Sequence, residues 1–209
     1  MKKKARFYRC RACGLRFPDL APREGCPSCG GSLELVAERH LREDALGPSR
    51  GVVEPPCVAI LENIRSAWNV GSMFRTAEAA GFARLYLCGI TPAGDHPGVA
   101  KTALGAESVV PWTHHPDALA VVKNLKLEGF RVLILETEEA VDWHPELPPP
   151  EGPLAVVVGN ELTGVDPGVL EACDLTLRLP MRGGKRSLNV AVAFGVVALW
   201  LSARRATPR

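Results

Sequence analysis

The sequence predicts an α/β protein, a mostly parallel sheet covered on both faces by helices, preceded by a small cysteine-rich ribbon. Two patterns carry that expectation. From residue 57 onward, short runs rich in Val, Leu and Ile alternate with amphipathic segments. Buried parallel strands joined by helices read this way. Before them, Cys10-Arg-Ala-Cys13 and Cys26-Pro-Ser-Cys29 sit in a fragment too small to build a core of its own. A boundary near residue 50 separates a ribbon and linker, 1–50, from a larger domain, 51–209.

In the ribbon, each C-x-x-C pair can present two thiolates to one ion from a tight turn, and two pairs complete a tetrahedron. Gly14 and Gly30 follow the second cysteine of each pair, where the turn needs a left-handed residue. Four cysteines with no fifth ligand nearby imply a closed, structural site. Zinc is favoured over iron, although C-x-x-C-G with C-P-x-C-G also resembles rubredoxin knuckles. The first thirty residues carry eight Lys or Arg against two acids, and the rest of the chain seventeen against twenty-one, so a formal +6 faces −4. Basic character confined to one small module points to a polyanionic partner. Lys2, Lys3, Lys4, Arg6, Arg9, Arg11 and Arg16 interleave with Phe7, Tyr8 and Phe17, rings that either stack on bases or form the ribbon's scant core.

Residues 40–56 read as a linker. Strands are then expected at 57–61, 84–88, 109–112, 131–135, 154–158 and from Leu175. Helices are expected at 69–80, 116–128, briefly from Pro167, and at 188–201. Asn69 is the expected N-cap of the first helix and Gly81 its C-terminal stop. LPPPEGP, from Leu147 to Pro153, is a loop. Cys57, Cys88 and Cys173 fall in or near strands as buried fillers, and His114, His115 and His144 belong to no pattern and are expected at the surface.

Three stretches carry candidate chemistry. Leu179 to Asn189 runs from an apolar strand end through a basic loop, Arg182-Gly-Gly-Lys-Arg186, with Ser187 as the expected N-cap of a nearly all-apolar helix. Strand, polar loop and helix start make either an ordinary connection or a ligand loop at a sheet edge. In Asn69-Val-Gly-Ser-Met-Phe-Arg75-Thr-Ala, Val70, Met73, Phe74, Ala77 and Ala80 share one helical face and Arg75 falls on the other. Taken alone, Arg75 is a solvated charge. In Val156-Val-Val-Gly159-Asn-Glu161-Leu-Thr-Gly164, a buried strand ends in a glycine turn bearing a carboxylate.

Taken together and in this order, N-x-G-x-x-x-R-T-A, G-N-E-x-x-G and L-P-M-x-G-x-x-x-S-L-N-V resemble the three signatures of the SpoU (TrmH-type) RNA 2′-O-ribose methyltransferases. The resemblance covers roughly residues 52–205. It implies a SPOUT fold with a C-terminal trefoil knot, S-adenosylmethionine as cofactor, RNA (tRNA or rRNA) as substrate, and a homodimer. It also implies that Arg75 is catalytic, supported by Asn69, with Ser187, Asn189 and Glu161 in the same site. The positions matching the family's cofactor pocket are Leu135, Thr137, Gly159, Glu161, Leu179, Met181, Leu188 and Asn189. Ala191 departs from the family, which often has serine there.

No targeting segment is expected, because the basic N-terminal stretch lacks an apolar core. The apolar run from Val190 to Leu201 is too short for a membrane span. Clustered cysteines in such a chain argue for a cytoplasmic protein without disulfides. Two functions remain to be separated: an RNA ribose methyltransferase with an RNA-binding zinc ribbon, and an RNA-binding protein that keeps the cofactor pocket without methyl transfer.

Overall fold

The computed structural model describes residues 4–41, 51–137 and 140–205. Most of the expected linker, with Lys2 and Lys3, lies outside them. The chain divides into two compact units, Met1–Ser49 and Arg50–Arg209.

The first unit is a three-stranded antiparallel sheet ordered β2-β1-β3, with β1 Lys4–Cys10, β2 Arg16–Asp19 and β3 Leu33–His40. Among its described residues only Ala5, Tyr8, Cys10 and Cys26 form a buried apolar set. Tyr8 packs on Phe17, with ring centroids 5.9 Å apart, so these two rings serve the ribbon's own small core. Gly14 and Gly30 take φ of +78° and +73°, as the knuckle turns require.

The second unit is a seven-stranded sheet in which every recorded pairing is parallel, ordered β6-β5-β4-β9-β7-β10-β8. In chain order its strands are β4 Cys57–Glu62, β5 Arg84–Cys88, β6 Trp112–His115, β7 Arg131–Leu135, β8 Val141–Asp142, β9 Leu154–Val158 and β10 Leu175–Arg178. The central strands β4 and β9 are buried at every residue, which explains why they read as unbroken apolar runs. On one face pack α1 Ala67–Ala80, α2 Pro97–Ala103, the single turn α3 Ala106–Val109 and α6 Val190–Arg205. On the other pack α4 Ala118–Leu127 and α5 Pro167–Glu171.

Helix α1 buries Val70, Met73, Phe74, Ala77 and Ala80, the face expected from its period. Its flank is close to α2: a Cβ on Gly71 would collide with Thr102 and the Val99 carbonyl. Gly81 ends it in the left-handed conformation, donating to Ala77 and Glu78 carbonyls. Helix α6 buries Phe194, Val197, Ala198, Trp200 and Leu201, with Phe194 edge-on to Phe82 at 5.5 Å. Full burial of a side chain such as Phe194 is worth about 1.5–3 kcal/mol.

Several local expectations need correction. Ser66, not Asn69, caps α1: its side chain accepts from the Asn69 N–H, and Asn69 lies inside the helix. Helix α6 starts at Val190, and Asn189 rather than Ser187 accepts from its first amides, those of Ala191 and Val192. The strand expected at 109–112 is displaced to Trp112–His115, because residues 106–109 close a helical turn that leaves Val109 exposed. His115 is half-buried against Tyr86, 5.7 Å between rings. Helix α2 and strand β8 carry no periodic signal long enough to be read from sequence.

Candidate functional site

A cavity of about 410 Å³ opens at the carboxyl ends of the adjacent strands β9, β7 and β10, where open parallel sheets bind ligands. Leu135, Glu136 and Thr137 reach it from the end of β7, and Gly159, Asn160 and Glu161 from the turn after β9. Leu179 and Met181 follow β10, and Ser187, Leu188 and Asn189 lead into α6. All eight positions matched to the cofactor pocket therefore line one cavity. Its volume lies within the usual range for small-molecule sites. Apolar Leu135, Leu177, Leu179 and Met181 face polar Glu136, Asn160 and Arg186, a mixture that suits a nucleoside with an amino-acid tail.

The turn after β9 has little freedom. Asn160 and Gly164 exchange backbone hydrogen bonds at 3.1 and 3.0 Å, and Asn160 Oδ1 accepts from the Leu162 and Thr163 amides. Asn160 Nδ2 donates to the Asn63 carbonyl at 2.7 Å, tying the turn to the end of β4. A Cβ on Gly159 would meet Val165 at 2.6 Å and Gly164 at 2.7 Å, so no larger residue fits. Glu136 accepts from the Val165 amide at 3.3 Å and so joins the β7 and β9 loops. The family resemblance already points to the loop at Leu135, Glu136 and Thr137, whereas the contacts of Glu136 and Asn160 come only from the structure. Asn160 likewise lies inside the G-N-E motif.

Glu161 stands at the centre of the mouth. Its carboxylate accepts from the Arg65 amide at 3.0 Å, the Ser66 amide at 3.4 Å and Asn69 Nδ2 at 2.9 Å. Asn189 Nδ2 donates to Asn69 Oδ1 at 3.1 Å. One chain of polar contacts thus runs from the β9 turn through the start of α1 to the start of α6. Burial pushes the Glu161 carboxyl up, but the Arg65 amide, with Asn69 and Ser66, more than offsets it and holds the group below the usual range. The positive end of the α1 dipole acts in the same sense.

Arg75 is not in this cavity. It is exposed, with no side-chain partner among the described residues. Six residues beyond Asn69, it lies about 9 Å further along the axis and well round the helix. It shares the solvent face with Ser72 and Trp68, one and two turns back, and Trp68 is 65% exposed. Ser187 is exposed at the cavity and has no hydrogen bond among the described residues. Of the basic loop only Arg186 lines the cavity, and Gly183 and Gly184 stand in open space.

In the ribbon, the sulfurs of Cys10, Cys13, Cys26 and Cys29 all lie within 4.8 Å of one another. Cys10–Cys29 is 3.5 Å and Cys13–Cys26 is 3.7 Å. Tetrahedral Zn–S bonds of about 2.3 Å place sulfurs about 3.8 Å apart, whereas a disulfide needs about 2.05 Å. The donor set therefore fits a metal and not two disulfides. The Cys13 amide draws the Cys10 thiol down to about 6. The Gly31 amide draws Cys29 down too, but hydrogen bonding with Cys13 and Cys10 wins and pushes it up to about 12. Four thiols this close cannot all ionise without a cation among them.

A sequence profile described as the SpoU rRNA Methylase family matches residues 56–199. The chain belongs to that family. This SpoU chain is 31% identical over 168 residues to the 23S rRNA guanosine 2′-O-methyltransferase RlmP of Bacillus subtilis, covering 80% of this chain and 64% of that protein. It is 32% identical over 142 residues to a 23S rRNA (guanosine-2′-O-)-methyltransferase RlmB of Pseudomonas syringae, covering 68% and 56%. It thus spans somewhat over half the length of these curated relatives. Among solved structures, a TrmH/SpoU tRNA modifying enzyme of A. aeolicus superposes with TM-score 0.66 at 25% identity, covering 74% of this chain and 78% of that one. A structure described for 2-OH methylation of C/U34 on tRNA gives TM-score 0.61 at 29% identity, covering 71% and 95%.

The depressed Glu161 carboxyl makes its bridge pH-dependent. Its contribution is fully present above the unfolded value of about 4.3 and is lost as pH falls through the lower folded value. Because the carboxylate faces solvent, that contribution is about 1 kcal/mol at most. Glu161→Gln should therefore lower Tm slightly at neutral pH and make the fall in Tm between about pH 5 and about pH 3 shallower than in the unaltered protein. Parallel melting curves across that range, measured by circular dichroism, check this.

Proposed function

We propose that this chain is an S-adenosylmethionine-dependent RNA methyltransferase acting on a ribose 2′-hydroxyl. The observation that carries the reading is the convergence on one cavity of the eight positions matched to the family's cofactor pocket, with Glu161, Asn69 and Asn189 linked at its mouth. The RlmP and RlmB relatives act on 23S rRNA guanosine, which supports rRNA as substrate, and the A. aeolicus neighbour is a tRNA modifying enzyme. The family's trefoil knot belongs to the same reading.

S-adenosylmethionine supplies an already activated sulfonium methyl. Gly159, Leu179, Met181 and Leu188 are positioned to hold it, with Leu135 and Thr137 on the β7 side. What remains is to align a ribose oxygen and stabilise the charge that develops as its proton leaves. Arg75 is unsuited to general-base work, since its pKa lies above about 12. Its guanidinium fits a clamp on an adjacent RNA phosphate that also stabilises the developing oxyanion. Ser187, whose hydroxyl has no protein partner among the described residues, is free to meet the ribose, and Asn189 is held beside it by Asn69.

A second reading, an RNA-binding protein that keeps the pocket, is favoured by one observation: Arg75 does not line the cavity of its own chain. Pairing of two copies answers it. On α6, Val192 and Leu199 are 52% and 54% exposed, with half-exposed Gly195 and Val196 between them, a stripe at helical spacing. A Cβ on Gly195 would sit 4.0 Å from Thr76 Oγ1, so the stripe lies beside the residue next to Arg75. A two-fold contact through α1 and α6 would cover it and bring the arginines near the partner's site. Light scattering at micromolar concentration should report a dimer, and Val192→Asp should shift it toward monomer. A monomer in the unaltered protein refutes the pairing.

The ribbon is proposed as a zinc-dependent module. With so small a core, the metal provides the stability that packing does not. Metal analysis should find one zinc per chain, and a chelator should abolish the ribbon's structure while the larger unit melts unchanged. Iron in place of zinc would keep the module and correct the metal.

The sharpest test is Arg75→Ala. An exposed, unpaired side chain can be removed with little effect on folding. If it stabilises the reacting oxygen, methyl transfer from labelled S-adenosylmethionine to bulk RNA should slow by about 100-fold or more, roughly 3 kcal/mol. Cofactor affinity should hold. A near-normal rate under single-turnover conditions rules out both roles for Arg75, and no transfer by the unaltered protein favours the second reading.

A further inference from the structure

The structure separates the ribbon's cations into two groups. Lys4 and Arg6 both pair with Glu38, at 3.1 and 3.3 Å, and Arg23 pairs with Asp19 at 2.7 Å. These charges are already answered within the fold. Arg9, Arg11, Arg16 and Arg39 have no side-chain hydrogen bond or ion pair among the described residues, and all four are exposed. Three of them lie at one end of the sheet. Arg39 stands opposite Ala5, at the other end.

Arg9 and Arg16 are direct cross-strand partners on β1 and β2. Residues so placed project to the same face with Cβ atoms about 4.5–5.5 Å apart, and like charges there repel. A ribbon with almost no core has little stability to spare for such a pair, so the arrangement makes sense when an anion bridges it. Among the described residues no hydrogen bond joins these arginines to the cysteine sulfurs. Alternation along β1 puts Arg9 on the face opposite Cys10, which is why Cys10 is buried and Arg9 exposed. Beside Arg9 lies a polar notch of about 590 Å³ lined by Arg9, Arg11, Glu34, Cys10 and the knuckle residues Ala12 and Gly14. Glu34 is the cross-strand neighbour of Arg9 on β3. The row Arg16–Arg9–Glu34 is therefore polarised, with its anion-attracting end at β2.

We propose that Arg9 and Arg16, assisted by Arg11, form a phosphodiester clamp by which the ribbon grips the RNA backbone. This rests on the methyltransferase reading above and adds which side chains meet phosphate and which do not. Two guanidinium forks on one face suit adjacent phosphate oxygens, and an arginine pair holds them in a way lysines do not. Phosphate contacts carry no sequence information, so the clamp contributes affinity without sequence preference.

The experiment uses the full-length, zinc-loaded protein with bulk tRNA and bulk rRNA as probes, measuring affinity against salt concentration. Removing two phosphate contacts should lower the slope of log K against log salt by roughly 1.4–1.8. Arg9→Ala/Arg16→Ala should do so, whereas Lys4→Ala/Arg6→Ala should leave the slope nearly unchanged. Glu34→Gln should tighten binding. Zinc content shows that each variant keeps its ribbon. Arg16→Ala alone should raise the ribbon's melting temperature at low salt by relieving the repulsion, a readout independent of RNA. An unchanged slope in the Arg9/Arg16 variant, with RNA still bound and methylated, overturns the clamp and leaves the function standing. Failure of the unaltered protein to bind either RNA overturns both.

Discussion

Glu161 links, through one polar network, the β9 turn with the starts of α1 and α6. Its carboxylate takes hydrogen bonds from the Arg65 and Ser66 amides just ahead of α1 and from the Asn69 side chain, and Asn69 passes the connection on to Asn189 and the first turn of α6. The β9 turn, α1 and α6 are thereby fixed around one cavity mouth. A charged acceptor is needed for this, because a helix start presents several unpaired N–H groups that a neutral oxygen would satisfy less strongly. The anchor also accounts for the corrected cap. Ser66 handles the Asn69 amide, which leaves the Asn69 side chain free for the contact between loops.

Rigidity is concentrated where that anchor needs it. Gly159 and Gly164 allow the β9 turn to close against Val165 and Glu136, and Asn160 staples the turn to itself and to β4. Beneath it, β9 is buried at every residue between β4 and β7. A polar site on such a base can hold its side chains in place, which catalysis by positioning requires. The outward face of α1, with Trp68 and Arg75, is left free to meet something outside the chain.

The two units reach stability by different routes. The larger one buries whole strands and one face of each longer helix, so its stability rests on apolar packing. The ribbon has only four buried apolar residues among those described, and its charges are part of its energetics. Three ion pairs at one end of the sheet contrast with Arg9, Arg11 and Arg16 at the other, which have no ion pair among the described residues. That contrast, more than net charge, distinguishes a ligand-facing surface from a solvated one.

Sequence by itself determined the fold class and the four-cysteine cluster, and the family resemblance pointed to the positions that line the cavity. Each is written in local pattern: apolar runs for parallel strands, C-x-x-C spacing, and motifs a few residues long at strand ends. The helix face of Val70, Met73, Phe74, Ala77 and Ala80 was equally legible, since a period of 3.6 needs no tertiary knowledge. Tertiary structure alone decided what the polar side chains do. Asn69 meets Glu161 across 92 residues and Asn189 across 120, and no local pattern encodes such a partner. For the same reason seven basic residues of the ribbon looked alike in sequence. Strand register then separated Lys4 and Arg6, ion-paired with Glu38, from Arg9 and Arg16, which stand opposite each other with no ion pair among the described residues. Backbone conformation is largely a matter of near neighbours, whereas the environment of a charge depends on whatever the fold brings beside it.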